Sequence, residues 1–310
     1  MPGVKIAVLV PCYNEGRSIA KVVRDFHTYL PKAQVYVYDN NSTDDTKAQA
    51  ARAGAIVREE RHQGKGNVVR RMFADVDADV YVLVDGDDTY TVERCQEAID
   101  LLVDKQLDMV NIGRVTDSAA AFRRGHRAGN RWLSWIVQFV FNSELRDMLS
   151  GYRVLSRRFV KSFPSLAEGF EIEAELTIHA FELKMPVAEL FAPYRERGEG
   201  SSSKLRTYRD GSRIAWMIVK LIKEERPMLF FGVAAILCML LSVALAIPLV
   251  VTFAETGLVP RFPTAILATG LMLAGFLSLT CGLVLDTVTR GRRELKRLHY
   301  LSLPAIAEHA

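Results

Sequence analysis

Two aspartates one residue apart, Asp85 and Asp87, follow the apolar run Asp79–Val84. Carboxylates so spaced at a strand end can reach a hard divalent cation. Mg²⁺ and Mn²⁺ take oxygen ligands, often one or two carboxylates plus substrate phosphates. Such an ion neutralises charge on a departing diphosphate. The same residues also suit an Asx turn that merely closes the strand. Two further polar, acid-bearing loops follow apolar runs: Pro11-Cys12-Tyr13-Asn14-Glu15 after Lys5–Val10, and Asp39-Asn40-Asn41-Ser42-Thr43-Asp44-Asp45 after Gln34–Tyr38. Gly64-Lys65-Gly66, where a helical pattern begins, could hold a phosphate through backbone N–H groups and the ammonium, or be a solvated turn. Neither GxGxxG nor GxxxxGK[ST] occurs, which excludes a dinucleotide fingerprint and a Walker A loop.

These loops need a scaffold. Candidate strands are Lys5–Val10, Gln34–Tyr38, Ala55–Arg58, Asp79–Val84 and Leu107–Asn111, alternating with helical patterns over Ser18–Leu30, Asp44–Ala53, Asn67–Val76 and Thr91–Val103. This alternation predicts an α/β sheet with largely parallel strands, whose ligands gather outside the carboxyl ends of the strands. All three acid-bearing loops then lie along one edge.

The remainder of the chain has another character. Of 310 residues 25% are charged, ordinary for a soluble enzyme, yet the mean hydropathy is +0.08. The apolar residues are concentrated late. Met228–Phe253 and Thr264–Leu285 carry no charge, and each is long enough to cross a hydrocarbon core of about 30 Å. Seven Lys and Arg lie between Lys204 and Arg226, five more between Arg290 and Arg297, and Arg261 alone in the connection Ala254–Pro263. The positive-inside rule then puts both ends of a hairpin, and the N-terminal domain, on the cytoplasmic side. Small residues recur every four positions in both spans: Ala234, Cys238, Ser242 and Ala246, then Gly270, Ala274, Ser278 and Gly282. They could form a close helix contact, in the hairpin or an oligomer, or simply reflect how common small residues are in membrane helices. Cys12, Cys95, Cys238 and Cys281 form no CxxC pair and read as unpaired thiols. Ile6–Val10 is too short for a signal peptide.

The ordered motifs Val10-Pro11-Cys12-Tyr13-Asn14-Glu15, Asp39-Asn40-Asn41-Ser42-Thr43-Asp44, Gly64-Lys65-Gly66-Asn67 and Asp85-Gly86-Asp87 resemble those of inverting family-2 glycosyltransferases with a GT-A fold. Asp147-Met148-Leu149-Ser150-Gly151-Tyr152-Arg153 and Arg195–Lys204 resemble segments of the polyprenyl-phosphate glycosyltransferases, the group that includes dolichol-phosphate mannose synthase. The likeness covers residues 4–226, and the trailing spans match the membrane-anchored bacterial branch. It implies a Rossmann-like, nucleotide-sugar-binding GT-A domain over 1–203. A juxtamembrane amphipathic helix over 204–227 follows, then transmembrane helices within 228–289 (228–253 and 264–288) and a basic cytoplasmic tail over 290–310.

The resemblance also implies roles. Pro11, Tyr13, Glu15 and Asp39 contact the nucleotide, Asp39 accepting from the base N–H, and Lys65 lies near the diphosphate. Asp85 and Asp87 serve a Mg²⁺ or Mn²⁺ centre. Ser150 and Gly151 line the acceptor site. Arg127 and Arg131, with Arg197 and Lys204, hold the lipid phosphate. The sequence departs from the family where Thr89 replaces the usual glutamine, which leaves Asp88 as another third ligand, and where Asn40 replaces an acid. In Glu171, Glu173 and Glu175, Glu171 could orient sugar hydroxyls or act as a base, or all three could form a solvated helix face.

The implied partners are a nucleotide sugar, a polyprenyl phosphate, a membrane and further copies of the chain. A UDP-sugar is favoured as donor and GDP-mannose is the other option. The expected place is the cytoplasmic membrane, with the catalytic domain in the cytoplasm. The stretch Trp132–Phe141 is too short to span; it reads as an interfacial or a buried helix, and Leu205–Glu225 as an interfacial one. Other readings are transfer to another lipid or to a polysaccharide, or a non-catalytic, membrane-anchored nucleotide-sugar binder. The net charge of +4 has its cations beside the spans, so nucleic acid is not the expected partner.

Overall fold

The computed structural model describes residues 3–115, 145–165, 167–169, 171–195, 223–224 and 226–306. Arg127, Arg131, Arg197, Lys204, the stretch Trp132–Phe141 and most of the juxtamembrane segment lie outside the described residues. Two compact units are present, Met1–Gly211 with Lys296–Ala310, and Ser212–Leu295.

The first unit is built on a seven-stranded sheet. Its elements run β1 (Ile6–Cys12), α1 (Ile19–Tyr29), β2 (Gln34–Asp39), α2 (Thr46–Arg52), β3 (Ile56–Glu59), α3 (Lys65–Asp75), β4 (Val80–Leu83), α4 (Cys95–Asp104) and β5 (Met109–Val115). They continue with β6 (Arg153–Ser156), α5 (Arg157–Ser162), α6 (Ile172–Glu182) and β7 (Val187–Pro193). The order across the sheet is β3-β2-β1-β4-β6-β5-β7. Strands β1 to β4 are parallel, β6 runs against both β4 and β5, and β7 is parallel to β5. The central strands are apolar throughout because helices cover both faces: Val8, Val10, Val37, Val80 and Val82 are all fully buried. Ile19, Val22, Val23 and Phe26 of α1 recur at helical spacing and form its buried stripe.

The expected strands are all present, and β6 and β7 are additional. β6 is four residues long and opens on an arginine, and β7 is a half-buried edge strand. Neither carries a strong apolar alternation.

The second unit holds most of two long helices, α7 (Pro227–Thr256) and α8 (Phe262–Leu301). Both are long and apolar enough to cross a membrane. Leu237, Leu240, Val250 and Leu277 are each more than 60% exposed, an apolar surface that requires lipid or protein against it. Of the four-residue stripes, Ser242, Ser278 and Gly282 lie in the contact between the helices. Its buried positions are Ala235 and Ser242 on α7 and Ala268, Gly275, Gly282 and Thr289 on α8. They recur every seven residues, the period of a left-handed coiled coil. Ser242 Oγ donates to Ala268 O at 2.6 Å and Ser278 Oγ to Phe231 O at 2.9 Å. Gly270 and Ala274 face outward, away from the seam.

The stretch expected as a tail over 290–310 is helical over most of its length. Helix α8 continues to Leu301, and from Lys296 on the chain belongs to the first unit. Lys296 Nζ pairs with the buried Glu182 at 2.6 Å. Tyr300 Oη donates to Asp108 Oδ2 at 2.7 Å, under the Arg158 guanidinium, which lies 4.5 Å from the ring centroid and itself pairs with Asp108. Ile306 packs against the sheet core.

Candidate active site

Strands β1, β2, β4 and β5 end on one edge of the sheet, and the loops that follow them are stitched together there. Asn14 N–H donates to Ser42 Oγ, Thr43 N–H to Asn14 Oδ1, and Glu15 N–H to Thr46 Oγ1, all within 2.9 Å. Asn14 and Asn41 adopt left-handed backbone (φ 53° and 64°), which asparagine tolerates better than most residues. Pro11 is the penultimate residue of β1, and Tyr13 stands 36% exposed at the rim. The Asp39 side chain is 1% exposed. Its Oδ2 accepts from Ser42 N–H at 3.0 Å, while Oδ1 is buried with no hydrogen-bond partner. A buried carboxylate oxygen left in this state is costly unless a ligand donor meets it.

Asn40 explains its own departure from an acid. Its Nδ2 donates to Glu60 O and His62 O at 2.9 and 2.8 Å, and its Oδ1 accepts from Gly64 N–H at 2.7 Å. An aspartate has no donors for the two carbonyls. Asn40 thus anchors the loop that delivers Gly64-Lys65-Gly66.

That turn is not an open phosphate cradle. Gly66 N–H already donates to Glu168 O and Gly169 O at 3.0 and 3.1 Å. A Cβ at Gly64 or Gly66 would come within 2.2 Å of the Glu168 or Ala167 carbonyl oxygen; glycine permits this close approach. The chemistry of the turn therefore resides in Lys65. Its ammonium bonds Asp85 Oδ1 at 2.5 Å and also Glu173 Oε1. Burial opposes its charge, but the two carboxylates outweigh burial and hold it protonated well above the ordinary lysine range. Burial raises the Asp85 pKa; Lys65 opposes that rise, and Asp87 and Glu173 add to it.

Asp87 Oδ1 accepts from Thr89 Oγ1 at 2.6 Å and from Thr89 N–H at 3.2 Å. Thr89 is 1% exposed, so its hydroxyl orients Asp87 from behind. Asp88 turns away in left-handed backbone (φ 57°) and pairs with Lys21 at 2.6 Å. Neither residue stands as a third metal ligand beside Asp85 and Asp87. Among the described residues no group of three or more acids, histidines or cysteines is arranged around a common metal position.

The structure also reassigns the acceptor-side residues. Ser150 is fully buried, its hydroxyl donating to Ile112 O at 2.6 Å and accepting from Tyr152 N–H. It ties the turn that precedes β6 to β5. Gly151 lies against Asp85: a Cβ there would stand 2.3 Å from Asp85 Oδ2. Its N–H donates to Tyr90 Oη at 2.9 Å. Glu171 is exposed at the start of α6, and Glu173 is the acid that reaches the site.

Two arginines were not singled out from the sequence. Arg153 is fully buried, donating from Nη2 to Met148 O and Glu173 O at 2.7 Å and from Nε to Ser150 O. It joins the Ser150-Gly151 turn to the first turn of α6, and burial draws its pKa down to about 10. Arg114, near the end of β5, is clamped in two-point fashion by Asp147 at 2.7 and 2.8 Å and lies 5.6 Å from the Tyr194 ring centroid. The signal for Arg114 was its place: a cation closing a strand whose carboxyl end faces the ligand edge.

The Glycosyl transferase family 2 profile matches residues 7–163. The chain is 32% identical over 221 residues to the dolichyl-phosphate hexose transferase of Haloferax volcanii, covering 71% of this chain and 95% of that one. It is 54% identical over 123 residues to protein RfbJ of Shigella flexneri, 39% of this chain and 95% of the relative. Glucosyl-3-phosphoglycerate synthase from Mycobacterium tuberculosis, crystallised with Mn²⁺, UDP-glucose and glycerol 3-phosphate, superposes with a TM-score of 0.57 at 22% identity, over 71% of this chain and 80% of that one. That likeness is one of fold.

Proposed function

Since the chain belongs to glycosyl transferase family 2, whose members draw on nucleotide sugars, we propose that it transfers one sugar to the phosphate of a polyprenyl phosphate. The transfer inverts the anomeric centre and takes place on the cytoplasmic leaflet of the cell membrane. One observation carries this reading: a family 2 domain shares its chain with two helices long and apolar enough to cross a membrane. A polyprenyl acceptor keeps its hydrocarbon in lipid, so an enzyme that uses it must work at a membrane. The name of the Haloferax volcanii relative supports the same acceptor class.

The donor end is argued from Asp39. Its unpartnered Oδ1 accepts an N–H of the base, with uracil favoured over guanine, and Pro11, Tyr13 and Glu15 complete the nucleotide site. Asp85 and Asp87 set two carboxylates beside each other at the end of β4, with Lys65 bonded to Asp85. Their hard oxygen donors fit Mg²⁺ or Mn²⁺, which Asp85 and Asp87 would hold. When bound, such an ion neutralises charge developing on the nucleoside diphosphate.

The acceptor phosphate needs little help to ionise, since the second pKa of a phosphate monoester is about 6. No strong base is required; cations must hold the phosphate in line with the anomeric carbon. Arg127, Arg131, Arg197 and Lys204 are assigned that task. Glu173, its carboxylate bonded to Lys65 and its backbone carbonyl to Arg153, joins Glu171 as a candidate to orient sugar hydroxyls.

The test is transfer of radiolabel from a panel of UDP- and GDP-sugars to undecaprenyl phosphate by the full chain in detergent. A labelled lipid product, lost in Asp87→Ala and on adding EDTA, is expected. Labelling of a different lipid or of a polysaccharide, with none on undecaprenyl phosphate, would refute the acceptor assignment.

A further inference from the structure

Lys65 occupies an unusual place for a cation. It is the first residue of α3, where the helix dipole is positive and a lysine is disfavoured. Its side chain is only 10% exposed. Two carboxylates compensate it, Asp85 from the end of β4 and Glu173 from the first turn of α6. Neither acid has another cation bonded to it among the described residues. The backbone on each side of this bridge is fixed as well. Glu168 and Gly169 carbonyls close the turn around Gly66, and Arg153 holds the Glu173 carbonyl at 2.7 Å. The ammonium is therefore built into the position where Asp85 would otherwise offer its charge to an incoming ion.

We infer that Lys65 is a resident counter-cation that stands in for the divalent metal while no nucleotide is bound. It keeps the metal affinity of the donor-free protein low and makes metal and nucleoside diphosphate enter together. The inference rests on the metal-assisted reading above and adds an order of assembly to it. A like charge within hydrogen-bond reach of a metal ligand repels the ion directly and engages the ligand oxygen it needs. The diphosphate reverses the balance by bringing negative charge for both cations. Lys65 then acts as a positioning residue for Asp85, through the ion pair seen here.

The test measures Mn²⁺ binding to the full chain in detergent, from loss of the free-ion electron paramagnetic resonance signal, with Mn²⁺ alone and with Mn²⁺ plus UDP or GDP. Wild type is expected to bind Mn²⁺ weakly alone and at least about tenfold more tightly with one of the nucleotides. Lys65→Met is expected to bind Mn²⁺ alone about tenfold more tightly than wild type, with a smaller nucleotide effect. Lys65→Gln replaces it if the methionine variant does not fold. Glu173→Gln, which leaves Lys65 to Asp85 alone, is expected to shift binding the opposite way. Damage to the fold would weaken every variant, so the opposed shifts are diagnostic. Unchanged or weaker Mn²⁺ binding by the Lys65 variant overturns the inference while leaving metal assistance standing. Absence of Mn²⁺ binding by wild type with either nucleotide overturns the metal-assisted reading, and the inference with it.

Discussion

Replacing Asn40 by aspartate is nearly isosteric and supplies the acid that the family resemblance leads one to expect, yet it should damage this protein. Asn40 is 4% exposed. Its Nδ2 serves Glu60 O and His62 O, and its Oδ1 serves Gly64 N–H. Asn40→Asp retains the bond from Gly64 and loses the other two. Each lost bond costs about 1 kcal/mol, and a carboxylate oxygen aimed at two buried carbonyls adds about 1–3 kcal/mol more. The total is about 3–5 kcal/mol at neutral pH. For a domain of this size that corresponds to a fall in melting temperature of about 10 °C. The loop that delivers Lys65 hangs on this residue, so the KM for the nucleotide sugar should rise more than kcat falls. Thermal melts in detergent, followed by intrinsic fluorescence, and steady-state kinetics read both effects. Lowering the pH toward about 5 should recover part of the loss, because the introduced carboxyl, once protonated, regains one donor. A melting temperature within about 2 °C of wild type with an unchanged KM would show that the Asn40 bonds do not hold the loop.

Gly151→Ala should cut transfer by more than about tenfold, because its Cβ would overlap Asp85 Oδ2; destabilisation of about 1–3 kcal/mol should accompany it. Activity and melting within error of wild type would contradict the close approach. Lys296→Met should cost about 1–3 kcal/mol, since it removes a cation bonded at 2.6 Å to the carboxylate of Glu182, whose side chain is 1% exposed. Adding Glu182→Leu should restore most of the loss, and failure to do so would assign it to packing. His179 is held neutral, its pKa drawn down to about 3 by burial and then by Lys296. Below about pH 6.5 the unfolded chain binds a proton there that the folded chain refuses. Stability should therefore fall with pH by up to about 1.4 kcal/mol per unit between about 6.5 and 3. Melts of wild type and His179→Gln between about pH 7 and 4.5 should diverge with the shallower slope in the variant; parallel slopes would refute the assignment.

The sheet edge was legible from sequence because three strands are continuous apolar runs with acid-bearing loops behind them, and Asp39, Lys65 and Asp85 all lie at that edge. Less legible was anything set by long-range backbone partners. The Gly64-Lys65-Gly66 turn looks like an anion cradle until carbonyls about 100 residues later in the chain occupy the Gly66 N–H and Asn40 Oδ1 the Gly64 N–H. Ser150 looks like a site residue and is spent on Ile112 O. The choice between Glu171 and Glu173 depended on where α6 begins, a boundary that polar residues do not mark. Asn40 stands where the resemblance implies an acid, and its two donor bonds to Glu60 O and His62 O are visible only in the fold. The spacing of small residues in the apolar helices pointed to close contact, but only the packed pair reveals a seven-residue seam.

The first unit is discontinuous in the chain, and that gives its biogenesis a timetable. Its sheet is specified by the first 195 residues, but Lys296, Tyr300 and Ile306 complete the unit, and about 100 residues, both apolar helices among them, are made in between. At about 5–20 residues per second of synthesis, the domain waits about 5–20 s with Glu182 and Asp108 lacking their last partners. Its completion therefore follows synthesis of both apolar helices. A chain stalled or cleaved between the two helices would carry an assembled nucleotide edge on a domain still missing its final turn, a form that quality-control proteases could tell from the finished protein.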